Sequence, residues 1–284
     1  MHIETFYDTQ TSTFTYILVD TETQNCAVID SVLDYDQDAA KATTESADKV
    51  IAYINENGLN NQWILETHIH ADHISAAHYI KQHIGGKTGI GSGIKNVLNL
   101  WVPIFDTGKD TPIDGSQFDA LFEDGETFKL GSLEIQVMHT PGHTPACASY
   151  VVNDAVFVGD TLFAPNLGTA RVDFPGGDAK DLYQSIQKFY QLSDNTRVFL
   201  CHDYPSEGEE PTSMVTIAEQ KNNNKMLKAE TSLSEYIEKR NTRDSQLAVP
   251  KLILPSIQSN MRLGDFGKPA ENGIQYIKIP LNRL

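Results

Sequence analysis

Trp63-Ile64-Leu65 leads into Thr67-His68-Ile69-His70-Ala71-Asp72-His73, and this stretch decides how the chain is read. The first three residues read as a short buried strand. The seven that follow place four potential metal ligands, His68, His70, Asp72 and His73, within six positions. Imidazole nitrogens with a carboxylate suit zinc, iron or manganese, and a loop at a strand end can turn all of them inward. Three more candidates stand in the same setting. Thr140-Pro141-Gly142-His143-Thr144 follows one strand-like run, Gly159-Asp160-Thr161 a second, and Cys201-His202-Asp203-Tyr204 a third. Glycine ahead of His143 and Asp160 allows a tight turn that brings backbone close to an ion. A single histidine after a strand is usually a hydrogen-bonded structural residue, and Gly-Asp usually only a turn. Five of the nine histidines at strand ends, with aspartate partners, point instead to a metal site. His2, His78 and His83 read as terminal or solvated, and His139 as core or as support for a ligand.

Outward from that stretch, the chain alternates strand and helix signals. Phe14 to Val19 and Ala27 to Ile29 read as strands. Ala39 to Asn57 reads as a helix closed by Gly58, and Ile74 to Ile84 as a helix stopped by Gly85-Gly86. Leu133 to Met138 is strand-like, and Tyr150 to Val158 a hairpin around Asn153-Asp154. Asp178 to Tyr190 reads as a helix, Val198 to Leu200 as a strand, and Thr212 to Thr242 as two polar helices. Ile274 to Ile279 is expected to return as a closing strand. With no repeat, low-complexity tract or linker, residues 1–284 are expected to form one α/β domain, with a helical insertion at about 207–247.

Composition narrows the function. Hydrophobic residues make up 40% and charged residues 21%, enough apolar material for a real core. No run reaches the roughly 18–20 apolar residues of a membrane helix. The start, Met1-His2-Ile3-Glu4, lacks the basic and apolar regions of a signal peptide, so a cytoplasmic location is expected. A formal charge of −16 disfavours nucleic acid and anionic membranes but leaves an anionic small substrate open if cations are focused in a pocket. Cys26, Cys147 and Cys201 show no CxxC spacing, so neither a disulfide framework nor a cysteine zinc site is expected. No G-x-S-x-G elbow or phosphate-binding glycine loop is present.

The motifs at Thr67–His73, Gly142-His143, Gly159-Asp160 and His202 resemble, in order, those of the metallo-β-lactamase superfamily. That resemblance implies an αββα four-layer sandwich with the metal site at one edge, and an early aspartate, Asp30, that orients a ligand from behind. Such folds host several chemistries, so fold alone does not settle the reaction. Three segments narrow it. Ala170-Arg171-Val172-Asp173-Phe174-Pro175-Gly176-Gly177-Asp178 resembles the RxDF signature of persulfide dioxygenases, also called sulfur dioxygenases or ETHE-type proteins. His202-Asp203-Tyr204 matches the same family, where glyoxalase II reads His-Glu-Tyr. Pro255-Ser256-Ile257-Gln258-Ser259-Asn260-Met261-Arg262-Leu263-Gly264 resembles its closing P-x-x-N-M-R-x-G. The chain departs from the pattern at Gly168-Thr169-Ala170, where the family has Gly-Cys-Gly, and it is longer at Ser92–Phe118 and Glu207–Leu247.

The resemblance implies one Fe(II) held by His68, His143 and Asp160, oxidising glutathione persulfide with O2 to sulfite and glutathione. His70, Asp72, His73 and His202 then form a second shell or a second metal site. Tyr204, Arg171 and Asp72 are the catalytic candidates beside the ligands. Arg171 and Arg262 are expected to pair with glutathione carboxylates, and Asp173 to support Arg171. The alternative is a dinuclear thioester hydrolase of glyoxalase II type, with one or two Zn(II), or a lactonase. A non-catalytic metal-binding sensor is the weakest reading. Family members are often oligomers, so a homo-oligomer is an open expectation.

Overall fold

The structure, a computed structural model, describes residues 1–283. Its first half runs β1 (His2–Asp8), β2 (Thr13–Asp20), β3 (Asn25–Ile29), β4 (Val32–Asp36), β5 (Lys41–Thr43), α1 (Glu45–Glu56) and β6 (Asn60–Leu65). It continues with β7 (Ile74–Ser75), α2 (Ala77–Ile84), β8 (Lys87–Gly91), α3 (Ile94–Phe105) and β9 (Ala120–Phe122). The second half begins with β10 (Thr127–Leu130), β11 (Leu133–His139), β12 (Ala148–Val152), β13 (Ala155–Phe157), α4 (Ala179–Phe189) and β14 (Arg197–Phe199). It ends with β15 (Met214–Thr216), α5 (Ile217–Asn223), α6 (Leu233–Asp244) and α7 (Ile253–Asn260).

Two six-stranded sheets, ordered β1-β2-β3-β6-β8-β9 and β10-β11-β12-β13-β14-β15, pack face to face. Alternation along a strand sends successive side chains to opposite faces, and β2 shows how the layers follow. Phe14, Tyr16 and Leu18 enter the core between the sheets with Ile135, Val137, Tyr150 and Phe157. Ile17 and Val19 face the other way, into a core shared with Val50 and Ile54 of α1, Ile80 of α2 and Trp101 of α3. On the far side, α4 covers the second sheet through Leu182, Ile186 and Phe189. The result is the expected αββα sandwich.

Parallel pairing of β3 with β6, β6 with β8, and β13 with β14 requires crossovers, which α1, α2 and α4 supply. In the second sheet β11, β13 and β14 point the same way, because β12 is antiparallel to both β11 and β13. The turns after these three strands therefore open at one end of the sandwich, where open α/β sheets bind ligands.

Several boundaries differ from the sequence reading. Lys41–Thr43 pairs with β4, and Asp34 accepts hydrogen bonds from the Ser46 amide (2.8 Å) and hydroxyl (2.7 Å), so α1 starts at Glu45 rather than near Ala39. Ile74–Ser75 pairs with β4, which delays α2 to Ala77. The block at 207–247 is not wholly helical, since Met214–Thr216 adds an edge strand to the second sheet. The closing strand at Ile274–Ile279 does not form. A strand needs a ladder partner, and this segment is tied instead to Gln258 of α7, through the Lys278 amide and carbonyl, leaving Ile274, Tyr276 and Ile279 exposed. No helix among the described residues is long and apolar enough to cross a membrane.

Candidate metal centre

Four strand ends deliver the site. The loop after β6 carries His68, His70, Asp72 and His73, the turn after β11 carries His143, and the short 3-10 turn after β13 carries Asp160. His202 lies just past β14. The two glycines ahead of ligands are there for space and for φ. Gly142 has φ 138°, and a Cβ on it would sit 2.3 Å from the backbone of Leu182. Gly159 has φ 54°, and a Cβ would meet the Thr67 hydroxyl at 2.5 Å.

All seven side chains converge, and all but Asp72 are buried. Nε2 of His68 and Nε2 of His143 lie 3.8 and 3.6 Å from Asp160 Oδ2. Bonds of about 2.1 Å allow the donors of one ion to stand at most roughly 4.2 Å apart, so these three are within reach of a single ion. His202 Nε2 lies 3.2 Å from Asp160 Oδ1 and 3.1 Å from Asp72 Oδ2. Asp160 therefore faces both groups of ligands, one oxygen to each.

Orphaned atoms test whether a metal fits. Buried polar atoms are nearly always paired. Among the described residues twelve buried side-chain N and O atoms lack a hydrogen bond, and six of them are here: His68 Nε2, His70 Nδ1, Asp72 Oδ2, His73 Nε2, Asp160 Oδ1 and His202 Nε2. Each is a donor atom turned inward on the same site. The residues fit one ion at His68, His143 and Asp160, and they offer a second group of donors at His70, Asp72 and His73, with His202 Nε2 lying between Asp72 and Asp160.

Second contacts set which nitrogen is free. His143 Nδ1 pairs with the Arg171 carbonyl at 2.8 Å, leaving Nε2 to face Asp160. His202 Nδ1 lies 3.2 Å from the Thr13 hydroxyl. His70 Nε2 sits between two buried carboxylates, Asp30 Oδ1 and Glu66 Oε2, each at 3.1 Å, so Nδ1 is the nitrogen left over. Burial works against a charged His70, but Asp30 and Glu66 outweigh it and hold its pKa well above the ordinary value. Burial, reinforced by His70, pushes His68 well below it. For His202 burial is again unfavourable, yet Asp72 and Asp160 lift the pKa to about 9. Asp30 itself adopts φ 51°, strained for a side-chain-bearing residue, and accepts from the Thr67 amide and hydroxyl at 2.8 and 2.9 Å.

Residues 8–202 match the metallo-beta-lactamase superfamily. The chain belongs to that superfamily. Among curated relatives, glyoxylase B2 of Dictyostelium discoideum is 50% identical, covering 99% of this chain and 97% of its own. A probable metallo-hydrolase of Burkholderia pseudomallei is 45% identical over the full length of both. The human mitochondrial persulfide dioxygenase ETHE1 is 29% identical, covering 89% and 84%. Among solved structures, ETHE1 from Myxococcus xanthus superposes with a TM-score of 0.75 at 28% identity, covering 93% of this chain and 100% of that one.

Against the superfamily pattern, the other expected residues sort clearly. A cavity of about 760 Å³ opens over Asp72, His143 and Asp160, within the size range of small-molecule sites. Phe163, Leu167, Phe174, Met226 and Leu247 give it an apolar wall. Tyr204 lines it, half-exposed, with its ring stacked 6.2 Å from that of His202. Arg171 lines it too, but its fork is taken: it grips Asp173 at 2.6 and 2.7 Å and donates to the Ala248 carbonyl. Arg262 does not line the cavity. It is buried with Thr111 (2.9 Å) and the Asp265 carbonyl (3.1 Å), so its expected pairing with substrate is corrected to a structural one.

Sequence reasoning missed two supports. Glu66 stood one residue outside the motif that was read. Asn260 stood inside the quoted Asn260-Met261-Arg262, and its side-chain amide donates to the carbonyls of His70 (2.9 Å) and His73 (2.8 Å) while its oxygen accepts from the Ser75 amide (2.8 Å). The motif near the C-terminus thus clamps the ligand loop from behind.

Proposed function

We propose that this protein is a persulfide dioxygenase that holds one Fe(II) through His68, His143 and Asp160. The observation that carries this reading is the position of the Arg171–Asp178 segment, the stretch that resembles persulfide dioxygenases. It forms the wall behind one ligand: the Arg171 carbonyl holds His143 Nδ1 at 2.8 Å, and the Phe174 ring meets the His143 ring edge-on at 5.4 Å. The Arg171–Asp173 pair then serves to fix that carbonyl, and a cation lying 4.9 Å from the Phe174 ring pins the aromatic wall. The likeness to ETHE1 proteins in sequence and fold supports the same reading.

Bound by His68, His143 and Asp160, iron would supply the electrons that O2 chemistry requires. The chain's own groups do the rest. Burial keeps His68 neutral and able to ligate, and Asp160 stays ionised because its imidazole neighbours, His202 foremost, outweigh the cost of its burial. The apolar wall keeps bulk water from the reacting sulfur, and the Tyr204 hydroxyl, facing the cavity, donates a hydrogen bond to the substrate. The overall reaction is glutathione persulfide, O2 and water giving glutathione, sulfite and two protons.

A second reading is favoured by one observation: His70, Asp72 and His73 form a further donor group, and His202 links Asp72 to Asp160, as a two-metal thioester hydrolase of glyoxalase II type would require. The relative named glyoxylase B2 points the same way. One preparation decides between them. Iron-loaded protein is given glutathione persulfide and, separately, S-lactoylglutathione. The proposal expects O2 uptake with the first and negligible thioester cleavage with the second. The reverse pattern overturns it.

A further inference from the structure

We infer that Lys225 and Arg243 form a carboxylate-reading subsite at the mouth of the cavity, addressed to the end of an anionic thiol-derived substrate remote from its sulfur. The inference deepens the reading above, since it rests on the same cavity accepting a small thiol derivative. Four cations line that cavity: Arg171, Lys225, Arg240 and Arg243. Two are already neutralised, Arg171 by Asp173 and the buried Arg240 by Asp244 at 2.6 Å. Lys225 and Arg243 are exposed, and their side chains have no ion pair or hydrogen bond among the described residues. The anions of the wall, Asp72 and Asp160, face the metal donors instead.

Both free cations stand on pinned backbone. The Lys225 amide donates to the Pro165 carbonyl at 2.9 Å, and the preceding Asn224 is buried, its side chain bonded to Gly168, Met226 and Leu227. Arg243 precedes Asp244, whose carboxylate accepts from the Val172 amide at 2.9 Å, tying α6 to the segment behind His143. Position in the last turn of α6 favours a cation at 243 through the helix dipole, but nothing of that kind accounts for Lys225. In a chain of net charge −16, two unneutralised cations at one cavity mouth are where an anion would be held. Metal donors at one end and two cations at the other fit a molecule with sulfur at one end and carboxylate at the other. Glutathione derivatives have that form.

The test is a calorimetric titration of the metal-loaded protein with S-methylglutathione, which has no persulfide sulfur to oxidise. Lys225→Ala/Arg243→Ala should weaken binding by roughly tenfold or more, as loss of two charge-assisted contacts implies. It should also flatten the dependence on salt. Lys239→Ala, which removes a cation on the same helix already paired with Glu235 at 2.7 Å, should leave binding unchanged. The diethyl ester of S-methylglutathione should bind wild type and double variant alike. Undetectable binding by wild type, equal binding of the acid by wild type and double variant, or an ester that binds wild type as tightly as the acid would each overturn the inference. If the binding difference holds while glutathione persulfide drives no O2 uptake, the subsite stands and the dioxygenase reading falls.

Discussion

At the scale of single residues, the site is organised by what each histidine does with its second nitrogen. His70 gives Nε2 to Asp30 and Glu66, His143 gives Nδ1 to the Arg171 carbonyl, and in each case the remaining nitrogen is aimed at the metal position. Glu66→Ala should therefore cost roughly 10–100-fold in affinity for a metal held by the His70, Asp72 and His73 group, read as uptake of a second equivalent in competition with a chelator, because His70 loses a partner that sets its free nitrogen. Wild-type affinity in the variant would show that Asp30 alone suffices. His202 gives a second outcome, in pH. Its metal-free pKa of about 9 lies above the roughly 6.5 of an unfolded histidine, so its proton stabilises the metal-free fold fully below about pH 6.5 and progressively less up to about 9. A metal at the Asp72–His73–His202 position must displace that proton. Uptake of a second equivalent of zinc should accordingly be weak at pH 7 and strengthen towards pH 9, followed by metal analysis after gel filtration. Two tightly held equivalents at pH 6.5 would contradict this. The ligands were legible because histidine and aspartate at strand ends carry a chemical signature. Arg171 and Arg262 were harder to place, because a guanidinium in a motif looks the same whether it meets substrate or, as here, Asp173 for the one and Thr111 with the Asp265 carbonyl for the other.

Elements hold the ligands at fixed separations. Helix α7 ends at Asn260, whose amide bonds the His70 and His73 carbonyls and whose oxygen binds the Ser75 amide, so the helix end and the ligand loop form one unit. Asn260→Ala would leave three buried backbone groups unpaired at about 1–3 kcal/mol each before relaxation. Urea midpoints should fall by the equivalent of roughly 2–5 kcal/mol, with metal affinity falling as well. Lost metal affinity at unchanged stability would place the residue in a different role. This clamp joins positions nearly two hundred residues apart, and no local periodicity announces such a contact. Strand and helix runs with strong alternation, such as β2 and α4, were readable to within a few residues. The start of α1 was not, because β5 and Asp34 compete for residues that favour helix.

Across the whole molecule, the sandwich lets two sheets present their strand ends to one cavity while α6 and the loop after α5 supply its outer wall. The sandwich was legible through the resemblance of the ligand motifs, in their order, to those of the metallo-β-lactamase superfamily, whereas the strand and helix runs by themselves announced only one α/β domain. The last segment was not, because Ile274, Tyr276 and Ile279 alternate like a strand yet find no sheet edge and stay exposed. Deleting residues from 272 onward should thus change stability by less than roughly 2 kcal/mol, as for other exposed segments, and leave metal content intact. A loss of cooperative unfolding would contradict the fold as described. What the converged ligands do is read most directly from the ratio of O2 consumed to sulfite formed. The ratio would be measured with anaerobically iron-loaded protein on adding glutathione persulfide. The account predicts one sulfite per O2, abolished in His143→Ala and Asp160→Ala. Iron verified in place with no O2 uptake would contradict it.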